Sequence, residues 1–353
     1  METAQPTAQR LGLRSIRLTD LGTPPAVEFP GTTAWQERFQ RSTPRGRERP
    51  LEAGVEGAEG AEGAAVAAVD GAEPMDLESA LRARRAGGGK CLVPYLTGGL
   101  FQGETGDWTD MLRAVATSGA DGVEVGIPFS DPVMDGPVIQ EASELALRSG
   151  ATPPGILESL ATVDAGVPLA VMTYVNLVYR FGYERFASAA VTSGVSGVIL
   201  PDVPLEESAE WCAAADAAGI QTVMLAAPTA PDDRLAAVVA RARGFVYAVG
   251  LMGVTGERDS LAGSAKVIAA RLKDITDLPV LVGVGISTPS QAVEVCEVAD
   301  GVVVGSALVR TILETRSTDA AEDLVGSFRL GATVSARRAV AHPGAHRRAG
   351  SWN

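Results

Sequence analysis

Between residues 90 and 307 short apolar runs alternate with Ala-rich polar stretches. The runs are rich in β-branched residues and fall at KCLVPYLT (90–97), GVEVGIP (122–128), PLAVMTY (168–174) and GVILPDV (197–203). They continue at QTVMLAA (221–227), GFVYAVG (244–250), PVLVGVG (279–285) and GVVVGSA (301–307). Such runs read as strands. The stretches between them, for example WTDMLRAVATSGA (108–120), EESAEWCAAADAAG (206–219) and LAAVVARARG (235–244), read as helices. Near-continuous apolar strands alternating with helices predict a parallel sheet covered on its outer face. Eight such units predict an α/β fold, a closed (β/α)8 TIM barrel. An open doubly wound sheet is the alternative, disfavoured because the first turn lacks GxGxxG.

The pattern fails at both ends. Residues 1–74 carry Gly, Ala, Pro, Glu and Arg without apolar periodicity, including the near-repeat GVEGAEGAEGAA. Such a segment buries too little surface to offset its chain entropy, so disorder is expected. Met75 then opens a short helical stretch, MDLESALRARR. The barrel is expected over 75–315, with an extra loop and helix in 129–167. Residues 316–353, with six Arg against three acidic residues, are expected to be a poorly ordered tail.

One strand breaks its own apolar pattern. In DGVEVGIPFSDPVMDGPVIQ (121–140), Glu124 lies between Val123 and Val125 and so points opposite to both. A lone carboxylate in an apolar strand is expensive to bury without a task or a partner. Asp131 and Asp135 follow in the next loop, and Pro137 suits a helix's first turn. Glu124 and Asp135 form the candidate catalytic pair. The structural alternative makes Glu124 a solvated edge residue and Asp131 or Asp135 a helix N-cap.

Composition narrows the chemistry. A net charge of −13 argues against general nucleic-acid affinity. No apolar run reaches the roughly 18–20 residues of a membrane span, and no secretory signal pattern opens the chain. The scattered Cys91, Cys212 and Cys296 suit reduced core thiols in the cytoplasm. The only histidines, His342 and His346, lie near the C-terminus. A serine or cysteine nucleophile with a histidine base is therefore disfavoured, as is a histidine-bound metal. Lys90, Lys266 and Lys273 sit away from strand C-terminal ends, which leaves a Schiff-base aldolase without its amine.

Barrel active sites gather where strands end. There, Gly283-Val284-Gly285-Ile286-Ser287, Gly305-Ser306 and Gly253-Val254-Thr255-Gly256 suit a phosphate. Glycine admits backbone amides to the anion, and a helix N-terminus favours negative charge. Tyr95, Tyr174 and Tyr247 offer aromatic walls and hydroxyls, and Met172, Ile199, Val284 and Val303 offer apolar walls. Together they suit a flat apolar group attached to a phosphate.

In order, VEVGIPFSDPVMDGP, MTYVNLVYRFG, GVILPDVPLEES, GVTG, GVGIS and ADGVVVGSALV resemble the tryptophan synthase alpha subunit family, over about residues 77–315. The resemblance implies cofactor-free retro-aldol cleavage of indole-3-glycerol phosphate to indole and glyceraldehyde 3-phosphate. It makes Glu124 the general acid–base, Asp135 the carboxylate that holds the indole N–H, and Tyr247 an active-site tyrosine. Gly256, Gly285, Gly305 and Ser306 resemble its phosphate ligands, and Thr255 its lid threonine. It also implies a pyridoxal-phosphate (PLP) beta subunit as partner in an α2β2 heterotetramer, with PLP on the partner only and no metal. The contact surface would be the helix and loops after strands 2 and 6. Two loops depart from the family pattern. Val249–Gly253 lacks a common Ser-Arg, and Gly98–Gln102 lacks a common Asp-Pro. A free-standing indole-releasing lyase, a non-catalytic activator of a beta subunit and another phosphosugar enzyme remain the alternatives.

Overall fold

A computed structural model describes residues 76–104, 106–250, 258–283 and 285–340, with backbone alone at 258–262 and 330–340. The expectations for 1–74, Thr255, Gly256, Val284 and the end of the tail lie outside the described residues or side chains.

The eight apolar runs form eight strands: β1 (Cys91–Thr97), β2 (Val123–Gly126), β3 (Leu169–Met172), β4 (Val195–Ile199), β5 (Gln221–Ala226), β6 (Val246–Ala248), β7 (Val280–Val282) and β8 (Gly301–Val304). Each pairs in parallel with the next, and β8 pairs with β1, so the barrel closes in sequence order. The predicted TIM barrel is the fold. Register decides which residues face inward. Tyr95 pairs with Glu124, Glu124 with Ala170, and Ala170 with Gly197. Because side chains alternate along each strand, Met172, Ile199, Tyr247 and Val303 share that inner face.

A short helix, α1 (Leu77–Ala86), closes the bottom. Asp76 caps it, accepting from Ser79 N–H at 2.6 Å. Leu77 is fully buried beneath three glycines; a Cβ on Gly197 would lie 3.0 Å from its Cδ2. Gln221 Oε1, at the start of β5, accepts from Glu78 N–H at 3.0 Å and fixes the plug to the barrel.

The outer ring comprises α2 (Trp108–Thr117), α3 (Pro137–Arg148), α4 (Pro153–Leu160), α5 (Val175–Phe181), α6 (Tyr183–Thr192), α7 (Ala209–Ala218), α8 (Asp232–Arg241), α9 (Arg258–Lys273) and α10 (Pro289–Val295). Two more, α11 (Ser306–Thr315) and α12 (Thr318–Val340), follow β8. The extra helix expected after β2 is present, since α3 and α4 both precede β3.

The poorly ordered tail needs correction. α12 packs Ala321, Val325 and Phe328 into the core. Arg329 forms two 2.8 Å hydrogen bonds to the Asp121 carboxylate just before β2. The barrel domain therefore runs past residue 315. Among the described residues no helix is long and apolar enough to cross a membrane.

Candidate active site

Glu124 sits on the inner face of β2 at 1% exposure, and neither carboxyl oxygen has a hydrogen-bond partner among the described residues. Leaving such a group unpaired forfeits ~1–3 kcal/mol. Burial, and secondarily the charge of Asp135, pushes its pKa up to about 8. The solvated-edge reading is excluded.

Asp135 is half-buried in the loop after β2. Tyr174, the N-cap of α5, donates from Oη to Asp135 Oδ2 at 3.1 Å and accepts from Met134 N–H at 2.9 Å. Phe129 packs against the Tyr174 ring at 5.0 Å between centroids. Burial raises the Asp135 pKa, and the Tyr174 hydrogen bond opposes the rise. Neither Asp131 nor Asp135 caps α3: its N-cap is Gly136, without a side-chain bond, and Pro137 takes the first turn. Asp131 is exposed and accepts from Ser130 Oγ. Asp202 accepts from Val175 N–H at 2.9 Å and orders the start of α5.

Two phenols lie over glycines. A Cβ on Gly283 would fall 2.0 Å from Tyr247 Oη, and one on Gly126 would fall 2.0 Å from Tyr95 Oη. Both tyrosines are buried. Burial first, then neighbouring carboxylates, raises both phenol pKa values above 10 and keeps the hydroxyls protonated. Ile199 and Val303 are buried beside them, and Met172 is half-buried. Tyr174 uses the hydroxyl expected of it to hold Asp135. Phe129 and the steric roles of Gly126 and Gly283 escaped the sequence reading. An aromatic residue two places before Asp131 was the available signal for Phe129.

At the far side, Gly305 caps α11 without a side-chain bond, and Ser306 is exposed at its first position. Val309 N–H is bonded back to Gly305 O, so the N–H groups of residues 306–308 open the helix. Gly285 takes φ +83 in the neighbouring loop. Glycines at a helix start after β8 suit an anion. Thr255, Gly256 and Val284 lie outside the described residues.

A closed parallel barrel that buries one carboxyl without a hydrogen-bond partner among the described residues, within electrostatic reach of a second carboxylate, suits a barrel enzyme of acid–base chemistry. The tryptophan synthase alpha chain model matches residues 81–331, reaching into α12. The alpha chain of Streptomyces avermitilis is 44% identical over 251 residues, covering 70% of this chain and 90% of that one. That of Thermobifida fusca is 40% identical over 268 residues, covering 75% and 98%. Among solved structures, tryptophan synthase from Mycobacterium tuberculosis matches with TM-score 0.66 and 37% identity, covering 72% and 97%. The alpha subunit from Legionella pneumophila matches with TM-score 0.66 and 32% identity, covering 73% and 98%. The chain belongs to the tryptophan synthase alpha chain family. It is thus a carbon–carbon lyase of tryptophan biosynthesis, cleaving indole-3-glycerol phosphate to indole and glyceraldehyde 3-phosphate.

Proposed function

We propose that Glu124 and Asp135 carry this cleavage, that the α11 start holds the substrate phosphate, and that the chain works with a beta subunit. Glu124 gives its proton to indole C3. The ring nitrogen becomes cationic, and Asp135 holds its N–H and stabilises the charge. Glu124, now a carboxylate, takes the proton of the glyceryl hydroxyl beside the ring. The C–C bond breaks, its electrons return to the ring, and Glu124 ends protonated as it began. A group that must act as both acid and base works best with a pKa near the operating pH. The observation that carries this reading is Glu124, buried without a hydrogen-bond partner among the described residues, its pKa pushed up to about 8.

Backbone amides at the Gly305 end of α11, with Gly285, would hold the phosphate, and the apolar inner wall would hold indole. The step needs no cofactor on this chain; PLP would belong to the partner. All three lysines are engaged outside the barrel interior. Lys90 Nζ donates to Ala299 O, Lys273 to Asp300, and Lys266 pairs with Glu294 and Glu297. The cytoplasm suits three free, buried thiols.

Beta-subunit docking is supported by apolar side chains exposed next to the catalytic loop. Val133 is 81%, Met134 58% and Tyr179, on α5, 69% exposed. Such a partner would bear on the loop that carries Asp135. The test is indole release by the purified chain with and without beta subunit. A many-fold acceleration is expected on adding the partner. One rate in both conditions would identify a free-standing lyase, and release in neither would revive the non-catalytic reading.

A further inference from the structure

Tyr95 was expected to be one wall of the indole pocket, and its placement also carries its hydroxyl onto the strand that bears Glu124. Its Cα is the pairing partner of Glu124 across the β1–β2 ladder, so both side chains enter the barrel at one level. The root of the side chain lies against the start of α11: a Cβ on Gly305 would sit 3.7 Å from Tyr95 Cβ and 3.8 Å from Cδ1. The tip lies against β2, where a Cβ on Gly126 would meet Oη at 2.0 Å and Cζ at 2.5 Å. Gly126 is two residues beyond Glu124 and shares its face. The ring therefore runs from the N-cap of the proposed phosphate helix to the neighbourhood of the acid–base carboxyl.

A substrate with its phosphate at Gly305 and its reacting carbon at Glu124 must lay its glyceryl chain along this ring. The hydroxyl is at the Glu124 end, where the breaking bond and the oxygen that loses its proton must be. We propose that Tyr95 Oη–H donates a hydrogen bond to the glyceryl oxygen on the carbon leaving the indole ring, and stabilises the negative charge that oxygen gains during cleavage. The proton of that glyceryl hydroxyl goes to Glu124, the C–C electrons go to the ring, and Tyr95 keeps its own proton throughout. Burial and the charges of Asp135 and Glu124 keep this phenol neutral, as a donor must be, although the neighbouring Thr97 hydroxyl acts in the opposite direction. Without a Cβ at Gly126 the hydroxyl has the room it needs. This assignment rests on the cleavage proposed above.

Tyr95→Phe keeps the ring and removes only the donor. Two quantities separate the roles: kcat for indole-3-glycerol phosphate, and the Kd of 3-(indol-3-yl)propyl phosphate, which has the ring and phosphate but neither glyceryl hydroxyl. The expected result is kcat lowered roughly 10²-fold with an unchanged Kd, which also reports an intact fold. An unchanged kcat would overturn the assignment. So would a Kd weakened in proportion to kcat, since that marks a wall. If the wild-type chain itself released no indole, with or without beta subunit, the parent reading would fall instead.

Discussion

Glu124 was conspicuous because a strand with one carboxylate among valines contradicts its own pattern, and pattern breaks concentrate at functional sites. Its burial has a consequence for stability. The carboxyl titrates at an ordinary 4.5 when unfolded and at about 8 when folded, so the folded state holds the extra proton between those values. Stability therefore falls as pH rises through that window and levels off above it. Glu124→Gln removes this contribution. The variant is expected to melt higher than wild type near pH 8 and alongside it near pH 4; identical pH profiles for both would contradict the burial. Tyr174→Phe removes one hydrogen bond to Asp135 and the acceptor for Met134 N–H. A hydrogen bond to a charged group is worth ~1.5–3 kcal/mol, so cleavage is expected to slow roughly ten- to a hundredfold in a steady-state assay. The Tyr174 partnership was hidden from the sequence because it joins two loops 39 residues apart.

At the scale of elements, all eight strands were legible, since a buried parallel strand needs only a continuous apolar run. What lies over a glycine was not. Gly126 and Gly283 end strands like any turn glycine, yet each makes room for a phenol from the neighbouring strand. Gly283→Ala would place its methyl 2.0 Å from Tyr247 Oη. Displacement of the tyrosine and loss of most indole release are expected; full activity would show that the ring can move freely. The last helix was missed because its buried positions, Ala321, Val325 and Phe328, are sparse and lie among Asp, Glu, Gly and Ser. Periodicity this diluted resembles a tail until the helix meets α2 and α10. Phe328→Ala is expected to cost ~3–5 kcal/mol, read as a large drop in melting temperature. A near-neutral change would return α12 to the status of a frayed appendage.

For the whole molecule, the repeat of strand and helix was enough to specify a closed barrel, because eight parallel strands covered on one face have few other arrangements. The boundaries were less legible, as charge and composition report solubility better than packing. The family match begins at residue 81, and the plug formed by Asp76 and Leu77 closes the barrel from below. A chain starting at Met75 should therefore keep the melting temperature and activity of the full chain; a large loss of either would give residues 1–74 a structural part.

The central claim is that one buried carboxyl moves both protons of a carbon–carbon cleavage. Its most direct test measures indole and glyceraldehyde 3-phosphate released from indole-3-glycerol phosphate by the wild-type chain and by Glu124→Gln, each with beta subunit present. Equal amounts of the two products from wild type are expected, with none from the variant, although the variant still binds 3-(indol-3-yl)propyl phosphate. Turnover retained by Glu124→Gln would contradict the account.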